Sequence, residues 1–344
     1  MPADPAPLLD PEWTLASLAE AGPLLLAVSG GPDSVALMLL AARWSMRARR
    51  EIAVATVDHG LRPESAEETR LVGDWARDLG FAHHALSWDG AKPKTRIQER
   101  ARAARYRLLA QCAHEIGATA IVTAHHADDQ AETILFRLTR GSGVAGLAGM
   151  AAISRLGELS LMRPLLAFRK LELEAYCVAS NHPFLRDPSN ENPAFARARL
   201  RRLRGLLEDQ GLDTRALLRL GARAARAEAA LAWSAARAAA SLPAEREPDL
   251  FRTGAAPLRT LPHEILQRIL ASEIARIGAS PRMERLERMV EKLTAALEAE
   301  ATLRVTLGGT LIMLADEQLS IEREAPRADR LSRKPKKSHA RSIE

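Results

Sequence analysis

The chain has 344 residues, 47% of them hydrophobic, enough for sizeable cores and, at roughly 100–200 residues per domain, for about two domains, which excludes a disordered protein. Lys and Arg number 49 against 43 Asp and Glu, a formal charge of +6, so the balance points toward a polyanionic partner without naming it. Cys112 and Cys177 stand far apart and outside any C-x-x-C spacing, which excludes a disulfide scaffold, a thiolate zinc site and an iron–sulfur cluster and fits a reducing compartment.

Residues 1–20 read as an N-terminal arm, with neither a basic start nor an apolar stretch of signal-peptide length. Nowhere do 18 uncharged apolar residues run together, so a soluble, cytoplasmic protein with no membrane partner is expected. Leu24 to Val28 is a short apolar strand, Ser29 to Pro32 a tight turn, and Ser34 to Trp44 a helix. The alternation repeats. Ile52 to Val57 reads as a strand ending at Asp58-His59-Gly60, Glu67 to Leu79 as a helix, and His83 to Trp88 as a strand. Arg96 to Ile116 is a long Arg- and Ala-rich helix, Ala120 to Thr123 a buried strand, and Asp128 to Leu138 a helix. Alternating β and α elements imply an α/β fold, a parallel twisted sheet with helices on both faces.

After about residue 205 the composition shifts to Ala, Arg and Leu, and a smaller, mostly helical domain is expected over 206–325. It contains the alanine-rich stretch 222–240, with Trp233 read as core, and helical periodicity over Ile265 to Ile277 and Met283 to Leu297. Leu303 to Leu307, Gly308-Gly309 and Thr310 to Leu314 read as a small hairpin. From 326 to 344, Arg327, Arg330, Arg333, Lys334, Lys336, Lys337 and Arg341 outweigh Asp329 and Glu344, the pattern of a disordered basic tail.

Ligands of open α/β sheets bind outside the carboxyl ends of the strands. Ser29 to Ser34, Asp58-His59 and His125 to Asp129 all fall there. In Ser29-Gly30-Gly31-Pro32-Asp33-Ser34, a glycine pair after a buried strand lets backbone N–H groups approach an anion, and the following helix N-terminus adds its dipole. Phosphate is the natural guest. The loop lacks a Gly-Lys-Ser/Thr ending and is not G-x-G-x-x-G, so neither a Walker-type NTPase nor a Rossmann dinucleotide site fits. Asp33 would repel bound phosphate unless a divalent cation lay between them, which suggests Mg²⁺. The plainer reading is an ordinary capped helix start with Asp33 and Ser34 in its first turn.

The second cluster is His125-His126-Ala127-Asp128-Asp129-Gln130-Ala131-Glu132-Thr133, followed by Arg137, Arg140-Gly141-Ser142-Gly143, Gly146-Leu147 and Gly149-Met150. On a helix, Asp128 and Asp129 lie four and three residues from Glu132, so carboxylates share a face and can hold a metal or an amine.

Ser29 to Ser34 matches the S-G-G-x-D-S loop of the N-type ATP pyrophosphatases, the PP-loop, HUP-like superfamily whose members cleave ATP to AMP and pyrophosphate. The second cluster resembles the H-H-x-D-D-Q-x-E-T and R-G-S-G-x-x-G-L motifs of the tRNA(Ile)-lysidine synthases. Asp58-His59-Gly60-Leu61-Arg62 with Ser65, Glu99 with Ala101-Arg102 and Arg105-Tyr106, Arg163-Pro164-Leu165-Leu166 and Asp187-Pro188-Ser189-Asn190 follow in the family's order. The resemblance is strong over about 21–205, taken as the catalytic domain, and weaker to about 320. Where the family usually reads Arg-Asn-x-x-Arg, the chain has Arg197-Ala198-Arg199-Leu200-Arg201, keeping both arginines and replacing the Asn by Ala198. It also lacks the extra C-terminal domain of longer members, so fewer elements are expected to contact tRNA.

The resemblance implies an ATP-dependent ligase that joins free L-lysine to C2 of the wobble cytidine of an isoleucine tRNA with a CAU anticodon, through an adenylated base. Ser29, Gly30, Gly31, Pro32 and Ser34 would then hold the phosphates, and Asp33 the metal. Asp129 would be the further metal-linked or general-base carboxylate, with His125 beside it. Glu132 is the candidate for the lysine ammonium. Arg105 and Arg197 would neutralise charge on the transferring phosphoryl group, and Asp58 and His59 would border the nucleotide. The richest basic patch, Arg199, Arg201, Arg202 and Arg204 and then Arg215, Arg219, Arg223 and Arg226, is the candidate tRNA surface; a homodimer is left open. Alternatives are another PP-loop tRNA-modifying enzyme, of which a thiolase would be expected to show paired cysteines, and a non-catalytic RNA-binding protein. Asp33, Asp129 and Glu132 argue against the latter.

Overall fold

A computed structural model describes residues 9–48, 50–60, 63–90, 97–186, 203 and 205–324. The chain divides into two compact units, 1–226 and 227–344.

The first unit holds a six-stranded sheet in the order β3-β2-β1-β4-β6-β5. Its strands are β1 (Leu24–Ala27), β2 (Ile52–Asp58), β3 (Ala82–Ser87), β4 (Ala120–Thr123), β5 (Ile153–Leu156) and β6 (Leu159–Met162). All neighbours run parallel except β5, an antiparallel edge strand. Period-two alternation sorts β1 between two layers. Leu24 and Leu26 enter the core shared with helices α2 (Pro32–Ala48) and α7 (Lys170–Ala179), and Leu25 enters the opposite core with Leu109 and Cys112 of α4 (Ile97–Glu115). Sheet, parallel direction and helices on both faces match the sequence reading, as do the four strands β1 to β4.

The β5–β6 hairpin is not legible in the sequence: both strands are four residues long, and only Gly157, with φ +62°, marks the turn. From residue 9 the N-terminal segment belongs to this unit, since α1 (Pro11–Thr14) leads into Leu15 and Leu18, both fully buried. Helices α3 (Ser65–Asp78), α5 (Ala127–Leu138) and α6 (Val144–Leu147) also belong to it, with the helical residues 205–209 and the start of α8 (Thr214–Ser241). The composition change near 205 precedes the division at 226 because Leu217, Leu212 and Leu220 pack on Ala131, Ile134 and Leu135 of α5.

The second unit contains α9 (Ala255–Arg259), α10 (His263–Ile277), α11 (Met283–Glu298) and a five-stranded antiparallel sheet, β7-β8-β11-β10-β9. The hairpin of β9 (Leu303–Leu307) and β10 (Thr310–Ala315) is as expected. It is extended by β11 (Gln318–Arg323), β8 (Leu250–Gly254) and β7 (Ala244–Glu247), which the sequence reading does not contain. Helices and sheet close on a core of their own that includes Phe251, Leu270, Ile274, Val290, Leu293, Ile312 and Ile321. Trp233, read as core, is instead 62% exposed. On α8 the buried positions are Thr214, Leu217, Gly221, Ala224 and Ala235. At 3.6 residues per turn Trp233 lies across the helix from them, with Arg237 over its ring at 4.8 Å. The segment 326–344, read as a basic tail, lies outside the described residues, as do 187–202 and Arg204.

Candidate active site

The phosphate-type loop leaves β1 at the carboxyl edge of the sheet, where Val28 N still donates to Ala55 O (2.9 Å). Its conformation is set from within. Ser34 Oγ accepts from Ser29 N at 3.1 Å, lies 3.3 Å from Ser29 Oγ, and donates to Gly31 O at 3.0 Å. Gly30 has φ +86°, and a side chain there would meet Leu185 Cδ1 at 2.5 Å; only glycine fits both demands. Leu185 N also donates to Gly30 O (2.8 Å), which ties the segment after α7 to the loop. α2 begins at Pro32, whose missing N–H costs nothing in a first turn. The first turn therefore faces the loop with free backbone donors and the positive end of a 17-residue helix.

Two carboxylates converge on one imidazole. His126, 5% exposed, caps α5 by accepting from Asp128 N (3.2 Å) and Asp129 N (3.4 Å) at Nδ1. Those two N–H groups leave Nε2 as the protonated nitrogen. It lies 3.5 Å from both Asp33 Oδ2 and Asp129 Oδ2, while Asp129 Oδ2 also accepts from His126 N at 3.2 Å. Burial opposes protonation of His126, but the hydrogen bond to Asp33 and the charges of Asp129, Asp33 and Asp128 outweigh it and raise its pKa. Asp129 is also shifted upward, chiefly by burial; His126 works against this, and Glu132 and Asp33 reinforce it. The other oxygen of Asp33, Oδ1, is buried with no hydrogen-bond partner among the described residues.

Opposite in sign is the group around His125. Its Nδ1 pairs with Thr123 Oγ1 at 2.8 Å. Burial, then the charges of Arg105, Arg102, Arg163 and His126, push its pKa down to about 3. Arg102 and Arg105 lie over the Tyr106 ring at 5.0 and 5.4 Å. Arg163, 7% exposed at the end of β6, is anchored through Nη1 to Ala151 O (2.7 Å) and Ser154 Oγ (3.1 Å). Arg105 feels the charge of Asp129, so acidic and basic groups adjoin one another at this edge of the sheet.

Asp128, next in sequence to Asp129, has a structural task. It accepts from Lys170 N at 2.9 Å and from Thr214 Oγ1 at 3.4 Å, holding the starts of α7 and α8. The glycine-rich stretch after α5 is folded back in the same way. Arg137 Nη1 donates to Gly146 O (2.8 Å) and Gly149 O (2.7 Å), and Gln130 exchanges hydrogen bonds with Met150 O and N. Asp58 Oδ1 accepts from Gly60 N (2.7 Å) and orders its turn, and the His59 ring meets Trp88 edge-on at 6.0 Å. Glu132 follows Asp129 on the same face of α5. Arg197, Arg199, Arg201, Arg202 and Arg204 lie outside the described residues. The structure thus brings together the loop, Asp33, Asp129, Glu132, His125 and Arg105. The sequence reading gave no role to His126, which faces both carboxylates, or to Arg163.

A PP-loop domain family model matches residues 12–205. A curated tRNA(Ile)-lysidine synthase of Methylobacterium sp. (strain 4-46) is 49% identical over 94% of this chain and 98% of its own. One of Bradyrhizobium sp. (strain BTAi1) is 45% identical over 95% and 97%. The chain belongs to the tRNA(Ile)-lysidine synthase family. A member from Wolbachia pipientis wMel is still 32% identical, over 89% of this chain and 72% of that one. Among solved structures, a U34-tRNA thiolase from Methanococcus maripaludis, determined with its [4Fe-4S] cluster, superposes with a TM-score of 0.52. It covers 62% of this chain and 76% of its own at 14% identity, a likeness of fold alone.

Proposed function

We propose that this chain ligates L-lysine to C2 of the wobble cytidine of an isoleucine tRNA with a CAU anticodon, using ATP as co-substrate, in the cytoplasm. The observation that carries the reading is the convergence of Asp33 and Asp129 on His126 beside the preformed glycine loop, in a chain of this family. The cytidine O2 is a poor leaving group. Attack of O2 on the α-phosphorus of ATP expels pyrophosphate, and the lysine ε-amine then forms the bond to C2 while AMP departs with O2. The amine must lose a proton as it attacks.

Each residue group has a part in this sequence. The Ser29–Ser34 loop and the α2 N-terminus hold the departing pyrophosphate. Arg105, with Arg197, neutralises charge that builds on the α-phosphoryl oxygens. Asp129, shifted upward by burial, takes the ammonium proton, a role worth typically 10²–10⁴ in rate. His125 is too weak a base for that task and serves as a neutral dipole among arginines. Glu132 receives the lysine ammonium. The residues also fit Mg²⁺. Asp33 Oδ1 lacks a partner, Asp129 sits beside it, and magnesium is typically held by one or two carboxylates plus substrate phosphates. Among the described residues no three His, Cys, Asp or Glu side chains form a metal cluster by themselves. When bound, Mg²⁺ would supply charge neutralisation on the phosphates. A sulfur-transfer reading has no support in the cysteines: Cys112 and Cys177 are both buried, and they sit in different cores. Among the described residues no helix is long and apolar enough to cross a membrane.

The experiment mixes the purified chain with radiolabelled lysine, ATP, Mg²⁺ and total tRNA. Label in acid-precipitable RNA is expected, in equal amount to AMP formed. Asp33→Ala should abolish both label and pyrophosphate release while tRNA binding persists. No incorporation under conditions where ATP binds would refute the reading.

A further inference from the structure

The first three turns of α8 carry a second charged feature that the chemistry above does not use. Between Thr214 and Arg226 the helix holds Arg215, Arg219, Arg223 and Arg226 and no Asp or Glu. At 3.6 residues per turn all four fall within roughly 80° of arc and span about 16 Å along the axis. All four are exposed. The opposite face is fixed: Thr214, Leu217, Gly221 and Ala224 are buried, and a side chain at Gly221 would meet Ile134 Cδ1 of α5 at 2.6 Å. The stripe is therefore presented from a packed helix.

A helix face that needs only water normally mixes its signs. α3 carries Glu67 and Glu68 with the Arg70–Asp74 pair at 2.9 Å, and α11 interleaves Glu284, Glu287 and Glu291 with Arg285, Arg288 and Lys292. On α8, Arg215–Arg219 and Arg219–Arg223 are like charges at i,i+4, a repulsive arrangement, and the positive end of the helix dipole adds to it. Asp213 is spent on capping Ala216 N at 2.6 Å. No ion pair to any of the four occurs among the described residues. A uniformly cationic, unneutralised stripe matches a uniformly anionic partner.

We infer that this face of α8 binds the phosphodiester backbone of the tRNA substrate, which extends the reading given under Proposed function and rests on it. Arginine suits the task, since its fork donates two parallel hydrogen bonds to one phosphate. Contacts of this kind position an RNA without reading its sequence.

The test compares the full chain with R215Q/R219Q/R223Q/R226Q, glutamine being a good helix former that also relieves the repulsion. Filter binding of isoleucine tRNA is measured between 50 and 200 mM salt. Each lost phosphate contact should lower the slope of log K against log salt by about 1, so a slope shallower by about 2–4 and at least tenfold weaker binding at low salt are expected. An unrelated structured RNA should weaken in parallel. In turnover, the KM for tRNA should rise while kcat at saturating tRNA and the KM for ATP stay within twofold. The corresponding quadruple lysine variant should keep most of the slope, and circular dichroism with a thermal melt checks that both variants fold. A glutamine variant that folds and binds tRNA with the parental slope and affinity overturns the inference, as does a parent whose tRNA binding ignores salt. Normal salt-dependent binding by a parent that makes no lysidine would refute the proposed reaction and leave this face assigned.

Discussion

His126 Nε2 sits 3.5 Å from a carboxylate on α2 and from another on α5, so a single proton holds together two groups that would otherwise repel. Its neighbour His125 is a different chemical object, with its ring among Arg105, Arg102 and Arg163 and its pKa lowered to about 3. That depression has a pH consequence of definite sign. Below about 6.5 the unfolded chain protonates this imidazole, whereas the folded chain keeps it neutral until about 3. The unfolded state therefore binds the extra proton in that window, and stability falls as pH drops through it, with the full contribution present above it. His125→Gln, which can still bond Thr123 Oγ1, should flatten the acid limb by up to about 1.4 kcal/mol per pH unit, as read by urea denaturation between pH 6.5 and pH 4. An unchanged acid limb would place the destabilising proton elsewhere. Asp33, Asp129 and the glycine loop were legible in the sequence because their signal is local spacing. The division of labour between His125 and His126 was not, since it depends on the extended backbone at His126, φ −123° and ψ −179°, which turns its ring back over the α5 N-terminus.

At the scale of elements, the turn between β1 and α2 couples shape to chemistry. Gly30 leaves room for Leu185, and Leu185 N bonds the Gly30 carbonyl, so the glycine loop is tied to Leu185 by packing and by a hydrogen bond. Gly30→Ala should cost more than about 1 kcal/mol in stability, because the added methyl must adopt φ +86°. It should also raise the KM for ATP more than the KM for lysine; equal effects on both would show that the loop does not hold the nucleotide. Strands β1 to β4 and helices α2 to α5 could be read from the sequence because each is a clear apolar run or a long periodic segment. The β5–β6 hairpin and strands β7, β8 and β11 could not. They are four to six residues long, and β7, Ala-Glu-Arg-Glu, has no apolar face to announce it. Pairing across the sheet, not local propensity, makes it a strand.

In the whole molecule, each of the two units closes its own hydrophobic core. Composition marked a change near 205, but packing of Leu217 on α5 carries the first unit further along the chain. The glycine loop, Asp33, Arg105, His125, Asp129 and Glu132 all belong to the first unit, so calorimetry should resolve two transitions, of which ATP with Mg²⁺ raises one. At ligand 100-fold above Kd the shift corresponds to about 2.7 kcal/mol, and equal displacement of both would mean that the units melt as one. Cys177 adds a practical corollary. Its thiol is buried, donates to Pro32 O of the glycine loop at 3.4 Å, and has its pKa pushed up to about 12 by burial, and Cys112 is buried as well. Neither sulfur is available as a thiolate, so thiol-directed alkylating reagents should leave both cysteines of the native enzyme unmodified, and no reductant should be needed to keep them as thiols.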